Sequence, residues 1–233
     1  MTTVPKRVLA DIAELQQPIY VNQGIFYEAD DDNALLGYGC IFGPPGTPYE
    51  DCPMIYRFQI PPAFPFENPK VTFVTGDGKT RFHPNMYVEG KCCLSILGTW
   101  DGPRWASTMR LSTILVTLQS LLDTNPLLHE PGYNPKDEKN TDLYPQYAKK
   151  VELECIRYIL NRATDTIHTY PNVFLPFKDR FLDRLSGILE RLETRLIRLC
   201  ETDTKILVNL PYGMTNTHTG YADLLAKVRK LRT

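Results

Sequence analysis

What most constrains the fold of this chain is a proline barrier. Residues 61–69 read Pro61-Pro62-Ala63-Phe64-Pro65-Phe66-Glu67-Asn68-Pro69, with four prolines in nine positions. Each proline removes a backbone donor and fixes φ, so neither a helix interior nor a central strand continues across the segment. Before the barrier, Met54, Tyr56, Phe58 and Ile60 fall on one face of a two-residue period, the pattern of a half-buried strand. After it, Val71-Thr72-Phe73-Val74 reads as a further short strand. Gly43-Pro44-Pro45-Gly46-Thr47-Pro48 is a second break, and it follows a strand-like segment over 35–42.

Upstream, Val8, Leu9, Ile12, Ala13 and Leu15 share one face of a helix predicted over 5–17. Pro5 suits its first turn and Pro18 ends it. Residues 28–33 read as a polar, acidic turn. The first eighty residues therefore read as one helix followed by an antiparallel meander with proline-rich connections, and a four-stranded sheet is expected.

Downstream the pattern turns helical. A buried helix is predicted over 111–122, Asn125-Pro126 and Pro131-Gly132 frame a loop, and a long helix runs over 143–163. Tyr170-Pro171-Asn172 and Pro176 punctuate the chain again. Phe181, Leu185, Ile188, Leu192, Leu196 and Leu199 then step by three or four residues, marking an amphipathic helix over 177–200. That stripe spans only about three heptads, so it is expected to dock on its own molecule rather than to form a coiled coil. Tyr221, Leu224, Leu225, Val228 and Leu231 mark a last short helix. The class is α+β, with strands early and helices late.

Composition excludes several functions. A net charge of −1 gives no field for nucleic acid. Lys227, Arg229, Lys230 and Arg232 form a basic tail, read either as a solvated helix face or as a steering surface for an acidic partner. No apolar run is long enough to span a bilayer, and the first residues lack a signal-peptide core. The six cysteines show no secreted-framework spacing, which predicts reduced thiols in a cytosolic setting. Adjacent Cys92-Cys93 and dispersed histidines predict no metal site.

The chemistry concentrates in residues 81–100. His83-Pro84-Asn85 is followed by a turn at Gly90 and then by Cys92-Cys93-Leu94. A thiol is the best ordinary nucleophile, and an amide is a neutral donor for an oxyanion. Asn85 and Cys93 lie eight residues apart across a turn, a spacing that can bring both to one carbonyl. This is the signature of acyl transfer.

The order helix, meander, proline barrier, His83-Pro84-Asn85, Gly90 through Cys93-Leu94, and Asn125-Pro126 resembles the ubiquitin-conjugating enzymes over roughly residues 5–165. Cys93-Leu94-Ser95-Ile96-Leu97-Gly98-Thr99-Trp100 and the stretch from Asn125 through His129-Glu130-Pro131-Gly132 are similar to a divergent subset of that family. The resemblance implies a catalytic core over residues 1–165 and a helical C-terminal extension over 166–233, packed on or beside it.

It also implies a role for each site residue. Cys93 is the nucleophile that carries ubiquitin or a ubiquitin-like modifier as a thioester, while Cys92, on the opposite face of an extended segment, is a small interior hydrophobe, the alternative being that both thiols are buried and inert. Asn85 donates to the oxyanion, or holds its loop by bonding backbone, or does both. His83 and Pro84 are structural at the active site, although His83 also offers a general base. Glu130 or His129 accepts a proton from the attacking lysine, the alternative being a solvated loop.

Lys6 and Arg7 face the activating enzyme; basic charge at a helix N-terminus opposes the macrodipole, which favours a binding reason over a plain solvated face. Phe66, Ser107 and Thr108 face the ligase, unless Phe66 belongs to the core. Implied partners are the modifier, its activating enzyme, a ligase and protein substrates, with no nucleic acid, no membrane and a monomeric state. No cofactor is implied, because the activating enzyme consumes the ATP. A cytoplasmic and also nuclear location is expected. Two departures bear on ligase choice: Ala106-Ser107-Thr108 replaces the usual Ser-Pro-Ala, and Ser95 replaces the usual Asp. The rival readings are a non-catalytic ubiquitin-pathway adaptor and an unrelated thiol hydrolase.

Overall fold

The computed structural model describes residues 4–134, 136, 141–165, 171–202, 209–214 and 220–233. Strands β1 (Ile25–Ala29), β2 (Leu36–Phe42), β3 (Pro53–Gln59) and β4 (Lys70–Phe73) form one antiparallel sheet in the order β1-β2-β3-β4. Helix α1 (Lys6–Leu15) and the single turn α2 (Pro18–Val21) precede it; α3 (Leu111–Ser120), α4 (Leu143–Thr164), α5 (Lys178–Glu201) and α6 (Tyr221–Arg232) follow.

Register places the alternating residues on two different faces. Ile25, Tyr27, Ile41, Met54, Tyr56, Phe58, Val71 and Phe73 all point inward and are buried. Gly39 lies on this face because α3 presses on it: a Cβ there would sit 2.6 Å from Leu115 Cδ2. The opposite face is divided. Phe26, Cys40, Phe42 and Ile55 are buried at one end, whereas Leu36, Arg57, Gln59 and Lys70 are exposed at the other.

Helix α5 covers the buried end. The Arg180 and Arg184 guanidinium groups sit 4.8 and 5.2 Å from the Phe26 ring centre, and Arg180 pairs with Glu28 at 2.9 Å. Further along, Arg191 pairs with Asp51 at 2.8 Å and Arg195 with Glu152 of α4 at 2.6 Å. The more exposed of these pairs, Arg180–Glu28 and Arg191–Asp51, contribute at most about 1 kcal/mol each. The stripe Phe181, Ile188, Leu192 and Leu196, all buried, stabilises the docking more, at roughly 1.5–3 kcal/mol per side chain. Helix α6 closes on α5 through buried Tyr221, Leu224 and Val228, while Arg229 and Arg232 both reach Glu193.

The helices predicted from periodicity lie where expected, to within two residues at their ends. Two expectations at the N-terminal end need correction. Pro18 does not simply end the first helix; it opens α2 at a position where its missing N–H costs nothing. The acidic turn starts at Asp30 rather than residue 28. Glu28 and Ala29 belong to β1, paired with Tyr38 and Gly37, and Asp30 Oδ1 then accepts the Asp32 and Asn33 N–H groups. Of the Tyr170-Pro171-Asn172 break, Tyr170 lies outside the described residues.

Candidate active site

The turn that joins Asn85 to Cys93 is closed by backbone bonds. Met86 N–H donates to the His83 carbonyl at 2.9 Å, Gly90 N–H to Tyr87 at 2.9 Å, and Cys93 N–H to Asn85 at 2.8 Å. Gly90 has φ +96° and lies against β4, where a Cβ would meet the Phe73 carbonyl at 2.9 Å and Thr72 Cγ2 at 2.7 Å. Only glycine lets the turn press this close to the sheet.

Asn85 Nδ2 donates to the Cys93 carbonyl at 2.7 Å, so the amide and the cysteine backbone hold each other in both directions. That carbonyl accepts only from nitrogen, which fixes the amide orientation. Asn85 Oδ1 is thereby enclosed without a partner among the described residues. Both thiols are enclosed, Cys92 and Cys93 each 2 % exposed. Cys92 belongs to the contiguous apolar core and Cys93 does not. Burial pushes the Cys92 thiol up to about 12, so it stays protonated and inert near neutrality. Cys93, expected to face a cleft, is therefore as enclosed as Cys92.

His83 is fully buried, and its Nδ1 accepts the Asn85 N–H at 3.0 Å. Burial, then His129 and Arg81, hold its pKa well below 6.5, and only the Leu121 backbone pulls the other way. The ring is neutral, with one nitrogen committed to the turn. The unfolded chain binds a proton at this histidine from about pH 6.5 downward; the folded chain does not. The unfolded state then holds more protons, and stability falls on acidification. Lowered carboxyls such as Glu14 and Asp77 act only nearer pH 4. We expect the urea midpoint to drop between pH 7.5 and 5.5; a midpoint that rises over that interval would contradict the assignment.

Arg81 carries no mark in the sequence that points to a role. It is 9 % exposed, and its guanidinium donates to the His83 carbonyl at 3.2 Å and the Pro84 carbonyl at 2.5 Å. The Tyr87 and Tyr212 ring centres lie 3.4 and 4.6 Å from it, and its own carbonyl accepts the Tyr147 hydroxyl at 2.6 Å. The proton-acceptor candidates are both engaged. His129 Nε2 bonds Asp123 at 2.8 Å, with its ring 4.9 Å from that of His83, and Glu130 accepts the Tyr212 hydroxyl at 2.5 Å.

The partner-facing candidates separate in a similar way. Lys6 is exposed. Arg7 turns inward, pairing with Asp11 at 2.7 Å and bonding the Met109 carbonyl at 2.8 Å. Asp11, 1 % exposed, also accepts the Leu111 N–H at the start of α3, so Arg7 ties α1 to that helix. Phe66 is 83 % exposed, which removes it from the core. Trp105 Nε1 donates to the Pro65 carbonyl at 2.7 Å, joining the Phe66 loop to the loop that exposes Ser107 and Thr108.

An antiparallel meander bearing this asparagine–cysteine turn defines a class: the chain belongs to the ubiquitin-conjugating enzyme family, whose model matches residues 7–155. Among curated proteins it is 32% identical over 216 residues to ubiquitin-conjugating enzyme E2 Z of Xenopus tropicalis, covering 89% of this chain and 65% of that protein. It is 32% identical over 221 residues to E2 Z of Homo sapiens, covering 90% of this chain and 58% of that protein. The chain spans less than two thirds of the length of these relatives. The divergent subset that residues 93–100 resemble is the one these E2 Z enzymes represent. A solved E2 domain of a Toxoplasma gondii ubiquitin-conjugating enzyme superposes with TM-score 0.51 and 28% identity, covering 64% of this chain and 94% of that domain.

Proposed function

We propose that this chain is an active ubiquitin-conjugating enzyme with Cys93 as its acyl carrier. The observation that supports it most is the mutual clamp between Asn85 and the Cys93 backbone, which sets a neutral donor beside a thiol at one turn. The Cys93 thiolate attacks the thioester carbonyl that joins the modifier's C-terminus to the activating enzyme. The new C–S bond forms, the old one breaks, and the activating enzyme's sulfur leaves. A substrate lysine amine then attacks the Cys93 thioester; an amide forms and the Cys93 thiolate departs. A ligase thiol takes the acyl group in the same way.

In the lysine step the Asn85 amide stabilises the oxyanion. The amine proton goes to Glu130, through the carboxylate oxygen that Tyr212 does not hold, or to His129 once released from Asp123. Residues 1–165 carry this chemistry, and residues 166–233 form the helical extension. The modifier, an activating enzyme reached through Lys6, a ligase at Phe66, Ser107 and Thr108, and protein substrates are the partners of a monomer in cytoplasm and nucleus. ATP is consumed upstream, so the chain itself needs no cofactor.

The enclosure of Cys93 supports a second reading, a non-catalytic ubiquitin-pathway adaptor. Incubation with ATP, activating enzymes and a panel of ubiquitin-like modifiers separates the two. The enzyme gives a reductant-sensitive adduct that persists in Cys92→Ala; the adaptor gives none with any modifier.

A further inference from the structure

Two arms of contact meet at one side chain of the C-terminal extension, Tyr212. On one arm its ring lies over Arg81, whose guanidinium holds the carbonyls of His83 and Pro84 directly before Asn85. On the other its hydroxyl donates to Glu130, next to His129, whose ring lies 4.9 Å from His83. Both arms therefore end at the turn that carries Asn85. Tyr147 of α4 completes the enclosure, with its ring 6.0 Å from Tyr212 and its hydroxyl on the Arg81 carbonyl.

The backbone at this point is unusual. Tyr212 has φ +64° and ψ +27°, a left-handed conformation that a bulky residue adopts only when its surroundings impose it. Buried Leu210 and Met214 anchor the segment on either side. Burial and the bond to Glu130 raise the phenol pKa, so the hydroxyl remains a donor at any working pH.

We propose that Tyr212 is a positioning residue through which the C-terminal extension sets both the His83-Pro84-Asn85 turn and the Glu130 loop for acyl transfer. The proposal rests on Cys93 being the acyl carrier. It makes the extension part of the site's architecture: the loop after Asn125-Pro126 is held from outside the core, and acceptors meet a loop fixed by Tyr212.

Tyr212→Phe keeps the ring over Arg81 and removes only the hydroxyl. Amide hydrogen exchange of the full chain tests the coupling without activity. Exchange in residues 126–133 should be about tenfold faster, the factor expected for losing one hydrogen bond to a charged group, with a smaller rise in residues 83–87 and none in β2 or β3. Glu130→Ala should give the same pattern, and the double variant no further increase. In single-turnover discharge to free lysine, kcat should fall several-fold, more than loading falls, with KM little changed. Unchanged exchange in Tyr212→Phe, or additive effects in the double variant, overturns the proposal. A rise spread evenly over the sheet assigns Tyr212 to plain stability and overturns it as well. Failure of the wild type to load would instead overturn the acyl-carrier reading, while the exchange results still decide whether Tyr212 couples the two loops.

Discussion

Alanine at Cys93 is expected to reduce the modifier adduct to background, and serine to convert it into an adduct that survives reductant. A thioester exchanges with thiols, whereas an oxygen ester does not, so the chemical lability of the band reports which atom attacked. Accessibility alone points elsewhere. Among the six cysteines only Cys200 is partly exposed; Cys40, Cys52, Cys92, Cys93 and Cys155 are buried. A surface-selective thiol reagent should label Cys200 first, and Cys200→Ala should leave the modifier adduct intact. What selects Cys93 is its place in the site. It lies outside the apolar core, its N–H and carbonyl are both bonded to Asn85, and its neighbour is held protonated by burial. Gel shifts under reducing and non-reducing conditions decide the matter, and an adduct that persists in Cys93→Ala would remove the nucleophile assignment.

The parts of this fold legible in the sequence are those whose signal is local. Met54, Tyr56 and Phe58 alternate because β3 turns one face into the core, and the apolar stripe of α5 is periodic because the helix lies along one surface. Asn85, Gly90 and Cys93 were legible together because eight residues span the whole turn. Contacts between distant segments leave no such trace. Tyr212 reaches Glu130 across 82 positions and Arg180 reaches Glu28 across 152; neither partner carries a mark that selects the other. Arg81 reads as one more cation until its guanidinium is seen on two carbonyls of the active-site turn. At the N-terminus the sequence does not show how two adjacent basic residues divide. Lys6 is exposed, and Arg7 is spent on Asp11 and the loop before α3.

The same limit applies to Asn85, for which the sequence admits both an oxyanion donor and a loop-holding role. The geometry yields a prediction that separates them. Its bond to the Cys93 carbonyl stabilises the turn by about 1 kcal/mol, the usual net value. Its Oδ1 is enclosed without a partner among the described residues, a penalty of about 1–3 kcal/mol. Asn85→Ala removes both but leaves the Cys93 carbonyl without its donor, so the two orphan penalties offset and the stability loss should be small, about 1 kcal/mol. A residue kept for loop-holding alone would show the opposite balance, losing stability and activity together.

Oxyanion donation predicts that lysine discharge falls by about 10²–10³, the effect of deleting one such donor in other acyl-transfer enzymes. Loading by the activating enzyme should be far less affected, because there the acyl group passes between two sulfurs. Asn85→Asp sharpens the comparison, since it preserves the shape but offers no donor when ionised. Thermal midpoints, loading rates and single-turnover lysine discharge for wild type, Asn85→Ala and Asn85→Asp give the answer. Stable, loadable variants that fail only in discharge would make the clamp between Asn85 and Cys93 the resting arrangement of an oxyanion donor. Loading and discharge that decline in step with the melting temperature would make it a brace.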